Sequence, residues 1–238
     1  MTITAISKLS DFAQLSVASY ALFDQADPNA ALRNKASMTA TQATDFLNKY
    51  EVVTHTPNDS VGFSATVFRE IATGKLIFAV RGTEIPANIL PDLIIADVFQ
   101  IGPEGYAKSQ ATSMYRYWKQ LTTVGGMTVS YSDAEILQLY AVSKGIINLL
   151  TINVSVIDYV AFRTSVLADK GIVASQAAGT ARISPSAVVD VAGHSLGGHL
   201  AMLFSRFFPA NTGEVVTLNA PGFFMRIAAN TSQWRQAA

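Results

Sequence analysis

The stretch "SAVVDVAGHSLGGHLAMLFSRFF", residues 186–208, limits the fold more than any other part of the chain. Its first half is a short, mostly apolar run of the kind that forms a strand buried inside a parallel sheet. Its second half, "LGGHLAMLFSRFF", reads as an amphipathic helix that Pro209 helps to end. Only Gly193-His194-Ser195-Leu196-Gly197 separates the two patterns. The chain must therefore turn sharply. Glycines on either side of Ser195 remove side chains that would collide with the strand or the helix.

That turn has a chemical consequence. It would set the Ser195 hydroxyl above the C-terminal ends of the strands, where an attacking oxygen can be reached. The helix that follows directs unused N–H groups toward developing negative charge. The same residues also fit a plainer description, a glycine-rich β–α turn with a capping serine.

The rest of the chain supplies the layers such a turn needs. At 238 residues it is long enough for a single α/β domain, 1–238, with a substantial core. Half the residues are hydrophobic and 14% are charged, which suits a large buried sheet, a lipid-facing surface, or both. Seventeen basic residues balance seventeen acidic ones, so charge gives no reason to expect a nucleic-acid partner. Cysteine is absent, which excludes disulfides, thiolate metal sites and a cysteine nucleophile.

The periodicity predicts a helix over 10–23 with Ser10 as its cap and Phe12, Leu15, Tyr20 and Phe23 facing a core. A second helix starts at "TATQATDFLNKY", where Thr39 and Gln42 are spaced as a capping box. "YEVVTH", "VGFSATVFRE" and "KLIFAVRG" predict an antiparallel ribbon leading into a central strand that ends near Val80. Helices are expected at "YAKSQATSMYRYWKQL" and at "SDAEILQLYAV", the latter capped by Ser132. "EVVTLNA" is one more strand and "FFMRIAANTSQW" one more helix. The order argues for a layered α/β fold. "GIINLLTINVSVIDYVAF" is the most apolar run, but Asn148, Asn153 and Asp158 interrupt it. No transmembrane segment is expected; the run reads as a buried helix or strand pair, with lipid contact as the alternative.

A second signal lies at "FAVRGTE", residues 78–84, where a buried strand emerges into Arg81-Gly82-Thr83. A turn there can present a backbone N–H and a threonine hydroxyl to a tetrahedral intermediate. Taken with "GHSLGGHLA" and "VVTLNAPGF", it resembles the bacterial branch of the class 3 lipases. The resemblance implies an α/β-hydrolase fold, with a mostly parallel central sheet flanked by helices. It also implies hydrolysis of carboxylic esters of lipids, triacylglycerols or phospholipids. Ser195 would be the nucleophile, in an elbow with Gly193, His194 and Gly197. Thr83 and the backbone N–H of Leu196 would form the oxyanion hole. A mobile apolar lid would follow, and "IPANILPDLIIADVFQIG", residues 85–102, has a fitting composition for a cover that meets a lipid surface. An ordinary buried loop and helix would look the same.

The partners of the serine are harder to place. In this fold the order is serine, acid, histidine. Glu214 is the one carboxylate side chain after Ser195, and it begins a strand rather than ending one. Asp190 reads as a hydrogen-bonded buried carboxylate, and Asp92 and Asp97 fall in the candidate lid. His194 sits beside the nucleophile, where neighbouring side chains diverge. His199 lies one turn along the helix, and His55 is in the early ribbon. None is expected to be the base, so the acid and histidine of the triad have no matching positions. Three explanations remain: a longer chain that carries them, another chain that supplies them, or an inactive lipid-binding relative. The first is the expectation, since the sheet reads as unfinished after "EVVTLNAPGF" and "NTSQWRQAA" reads as a helix cut midway. No metal or other cofactor is expected, because histidines and carboxylates show no ligand spacing. The resemblance would allow calcium in a longer chain. It also implies export without an N-terminal signal peptide, which "MTITAISKLSDFAQL" lacks; failing that, the protein would be cytoplasmic.

Overall fold

A computed structural model of the chain describes residues 3–82, 107–144, 156–168 and 181–222. The chain divides into two compact units, one of Met1–Ala107 with Val188–Ala238 and the other of Lys108–Ala187.

The first unit is built on a five-stranded sheet: β1 (Tyr50–Thr56), β2 (Ala65–Glu70), β3 (Leu76–Val80), β4 (Val189–His194) and β5 (Thr212–Leu218), in that spatial order. β1 pairs antiparallel with β2 and β2 with β3, forming the expected ribbon. β3 then pairs parallel with β4, and β4 with β5. All the strands except β2 run in one direction, so their C-terminal ends gather along one edge. The fold is of the α/β-hydrolase type, with helices on both faces of the sheet.

Alternation along β3 decides what each face buries. Ile77 and Ala79 join a core with α1 (Ile3–Ala18), α2 (Pro28–Asn34) and α3 (Ala40–Lys49), whose Phe12, Leu15, Leu32 and Phe46 are buried there. Phe78 points the other way, and its ring lies 4.9 Å from that of Phe204 in α4 (Leu196–Phe207). Burying such side chains on both faces is worth about 1.5–3 kcal/mol each, which is why β4 has to be apolar.

α1 differs from the sequence expectation. It begins at Ile3 and ends at Ala18, so Ser10 lies inside it, and Tyr20 is only half-buried in the turn that follows. Phe12 and Leu15 are buried as expected, but Ile6 and Leu9 upstream of Ser10 are exposed, and Lys8 there pairs with Glu214. α2 was not expected; its start signal is Asp27, which accepts from the amides of Asn29 and Ala30, with Pro28 at the first helical position. The box on α3 forms as expected: the Gln42 amide donates to Thr39 Oγ1 and the Thr39 amide to Gln42 Oε1.

Among its described residues the second unit has the helices Lys108–Thr122, Asp133–Ser143 and Val156–Ala168. Ser132 caps the middle one in a box with Glu135, and Lys119 holds Glu135 at 2.6 Å. Tyr140 packs edge-on against Tyr159 and Phe162. The expectation of burial fails on the opposite side of the Val156–Ala168 helix, where Val156, Ile157 and Val160 are exposed. Its Tyr159 and Phe162 meet Tyr140, Val166 is buried, and Asp158 and Arg163 pair with Lys144 and Asp133. Residues 145–155 lie outside the described residues, as do Thr83, the candidate lid at 85–102 and the helix expected at "FFMRIAANTSQW". No helix among the described residues is long and apolar enough to cross a membrane.

Candidate active site

Ser195 follows β4 directly and has φ 55° and ψ −128°. For a residue with a Cβ this conformation costs on the order of 1–3 kcal/mol, and it persists only where the surroundings enforce it. Here they do. The Ser195 amide donates to the Leu218 carbonyl of β5 at 2.8 Å, and its carbonyl accepts from Gly198 and His199 to start α4. Ser195 therefore stands at the cap position of the helix, yet its side chain makes no capping bond. The description as a capping serine is set aside by that geometry.

The glycines explain how the turn closes. A methyl group on Gly193 would run into the carbonyl of Gly197, and one on Gly197 would run into the Val80 carbonyl oxygen at the end of β3. The first turn of α4 thus lies against both neighbouring strands. Leu196 and Gly197 open the helix, so their amides have no intrahelical acceptor and point toward the Ser195 end. Arg81 is buried just before Gly82, and its amide donates to the Ser64 carbonyl, fixing the end of β3 beside the elbow.

The three histidines fall in three different places. His55 is on β1, where Nδ1 lies 2.8 Å from Thr66 Oγ1 and Nε2 lies 3.5 Å from Asp24. β1 is three strands from β4, roughly 14 Å at the usual strand spacing, so His55 cannot reach Ser195. Burial pushes its pKa below the ordinary value, Asp24 opposes this, and Arg81 adds to it. His199 is fully buried in α4, with Nδ1 3.1 Å from the Pro221 carbonyl oxygen. Burial lowers its pKa too, against the opposing pull of that carbonyl. It ties the segment after β5 to the helix. His194 has Nδ1 3.3 Å from the hydroxyl of Tyr20. No hydrogen bond joins the Ser195 hydroxyl to any of the three among the described residues.

Asp190 and Glu214 sit at the other end of the sheet, and Asp92 and Asp97 lie outside the described residues. Asp190 is buried near the start of β4, accepts from the Glu214 amide at 2.9 Å and pairs with Lys75 at 2.5 Å. It fastens β5 and β3 to β4 there. Glu214 is paired with Lys8. Asp190 is five residues from Ser195 along an extended strand, roughly 16 Å away. Among the described residues no cluster of three metal-ligating side chains occurs. Tyr20 is the residue that sequence reasoning missed; it was expected in the core.

No protein-family model matches the chain, and no curated protein matches it. Several solved structures are similar to it. They include the Lip2 lipase of Yarrowia lipolytica (15% identity, 94% of this chain and 61% of that one, TM-score 0.43). The lipase of Rhizopus microsporus var. chinensis is similar at 16% identity, over 94% of this chain and 60% of that one, with a TM-score of 0.41. The Rhizomucor miehei lipase in complex with its propeptide is similar at 16% identity, over 94% and 55%, with a TM-score of 0.37. The chain spans about three fifths of the length of the first two of these structures.

Proposed function

We propose that the chain is the nucleophile-bearing part of a serine hydrolase acting on carboxylic esters of lipids. The carrying observation is the backbone of Ser195, held at φ 55° by two strands and a helix with its hydroxyl left out of the cap. Strain at a residue whose side chain does no structural work is best explained by use of that side chain. The lipid part of the reading rests on the resemblance of the three motifs to class 3 lipases.

In this mechanism Ser195 Oγ attacks the ester carbonyl carbon as its proton passes to a base. The oxyanion is met by the Leu196 amide and by Thr83. The bond to the alcohol then breaks, the alcohol leaves with the proton, and water releases the fatty acid and restores the hydroxyl. Among the described residues no histidine bonds to Ser195, so this reading needs a base and an orienting acid beyond the contacts seen there. The cover at a lipid surface that the resemblance implies would fall at the apolar stretch 85–102, which lies outside the described residues.

The same lack of a bonded histidine favours a second reading, a lipid-binding module without turnover. Hydrolysis of short- and long-chain esters by the protein as its host produces it separates the two. Activity that disappears in Ser195→Ala supports the hydrolase; activity that survives the substitution in full sinks the mechanism.

A further inference from the structure

Three features lie within reach of the Ser195 side chain without a role in the mechanism above: Tyr20, His194 and the bare backbone of Gly82. Tyr20 is 174 residues from His194 in sequence, yet its hydroxyl oxygen lies 3.3 Å from the ring nitrogen Nδ1. The two rings are tilted at 57° with centroids 6.5 Å apart, so the contact is made by the hydroxyl rather than by stacking. A methyl group replacing the Gly82 hydrogen would lie 2.5 Å from the Tyr20 hydroxyl oxygen, 2.6 Å from the His194 carbonyl oxygen and 3.5 Å from the Ser195 Cβ. Those distances put the Tyr20 oxygen within about 6 Å of the nucleophile's Cβ, close enough to hydrogen-bond an oxygen on a carbon attached to Oγ. Gly82 leaves room for the phenol to approach.

We infer that Tyr20 is a further donor at the reaction centre, oriented by His194, and that it hydrogen-bonds the oxygen that gains charge when Ser195 attacks. The inference rests on Ser195 being the nucleophile. With its ring proton on Nδ1, His194 donates to the Tyr20 oxygen, and the phenolic proton can then be given to the substrate oxygen. A phenol is well suited to this, since its O–H is a strong donor and its ring needs only two torsions fixed. The end of β3 lies on the same side, so the donor adds to those at the N-terminus of α4 rather than opposing them.

The test is the rate at which an alkyl fluorophosphonate modifies the host-produced protein. The Oγ–P bond forms, the P–F bond breaks, and fluoride and the serine proton leave; the phosphoryl oxygen takes the place of the ester oxyanion. Tyr20→Phe should slow the bond-forming step about tenfold to a hundredfold while leaving the initial non-covalent affinity unchanged. A purely structural Tyr20 would lower the melting temperature and leave that step unaltered in the folded protein. His194→Asn keeps a donor near the Nδ1 position and should retain most of the rate, whereas His194→Leu should lose it. Wild-type rates in both Tyr20→Phe and His194→Leu would overturn the inference while leaving Ser195 as nucleophile. Failure of the probe to label wild-type Ser195 at all would overturn the nucleophile, and the inference with it.

Discussion

The strain at Ser195 can be measured by comparing two substitutions that both remove the hydroxyl. Ser195→Ala keeps a Cβ at φ 55° and ψ −128°, and so keeps a cost on the order of 1–3 kcal/mol. Ser195→Gly removes that cost, but glycine loses about 0.5–1 kcal/mol more than alanine in backbone entropy on folding. The glycine variant should therefore be more stable than the alanine variant, by up to about 2.5 kcal/mol. Neither substitution loses a capping bond, because the serine makes none, so the difference reports the backbone alone. For a chain of this size each kcal/mol moves the melting temperature by about 2–4 °C. Urea unfolding followed by far-ultraviolet circular dichroism gives the comparison, and hydrogen exchange at the amides of β4 isolates the unit that contains Ser195. An alanine variant as stable as the glycine variant, or more so, would refute the claim that the elbow is strained.

Other consequences follow from the same contacts. Gly197→Ala places a methyl against the Val80 carbonyl and 2.8 Å from the Arg81 carbonyl carbon, and should cost at least about 1–3 kcal/mol in urea unfolding and abolish ester hydrolysis. Asp190→Ala leaves the half-buried Glu214 amide without its acceptor and Lys75 without its partner and should cost about 1–3 kcal/mol, while ester hydrolysis by the folded protein stays the same, since this end of the sheet is remote from Ser195. Burial holds the pKa of His55 and of His199 below the ordinary value of 6.5, so the unfolded chain takes up protons first as pH falls. Stability should be insensitive to these groups above pH 6.5, fall as pH drops below it, and level off beneath the folded-state values; His55→Gln should flatten part of that fall in urea midpoints measured from pH 8 to 5.

Local signals were legible in the sequence wherever one segment carries its own reason to fold. The reciprocal bonds of Thr39 with Gln42 and of Ser132 with Glu135 need only three-residue spacing, and the sharp turn at Ser195 needs only flanking glycines. The ribbon of β1, β2 and β3 is likewise written in short apolar runs between turn residues. The start of α1 was missed because the turns upstream of Phe12 are exposed, so no apolar period marks them in the sequence. α2 was missed although Asp27-Pro28 announces it, because its seven residues are too few to show a period. Tyr20 could not have been placed at the elbow from sequence, since nothing near it in the chain points to His194. The exposure of Val156, Ile157 and Val160 was misread because an apolar helix says that it needs a partner, not which face has one.

The central claim is that Ser195 is an activated nucleophile. The most direct measurement is to treat the host-produced protein with a fluorophosphonate and map the modified residue by peptide mass spectrometry. One equivalent of adduct is expected on the peptide containing Ser195, and none in the Ser195→Ala protein. An unmodified Ser195 in folded protein, or the same adduct on another residue in both proteins, would contradict it.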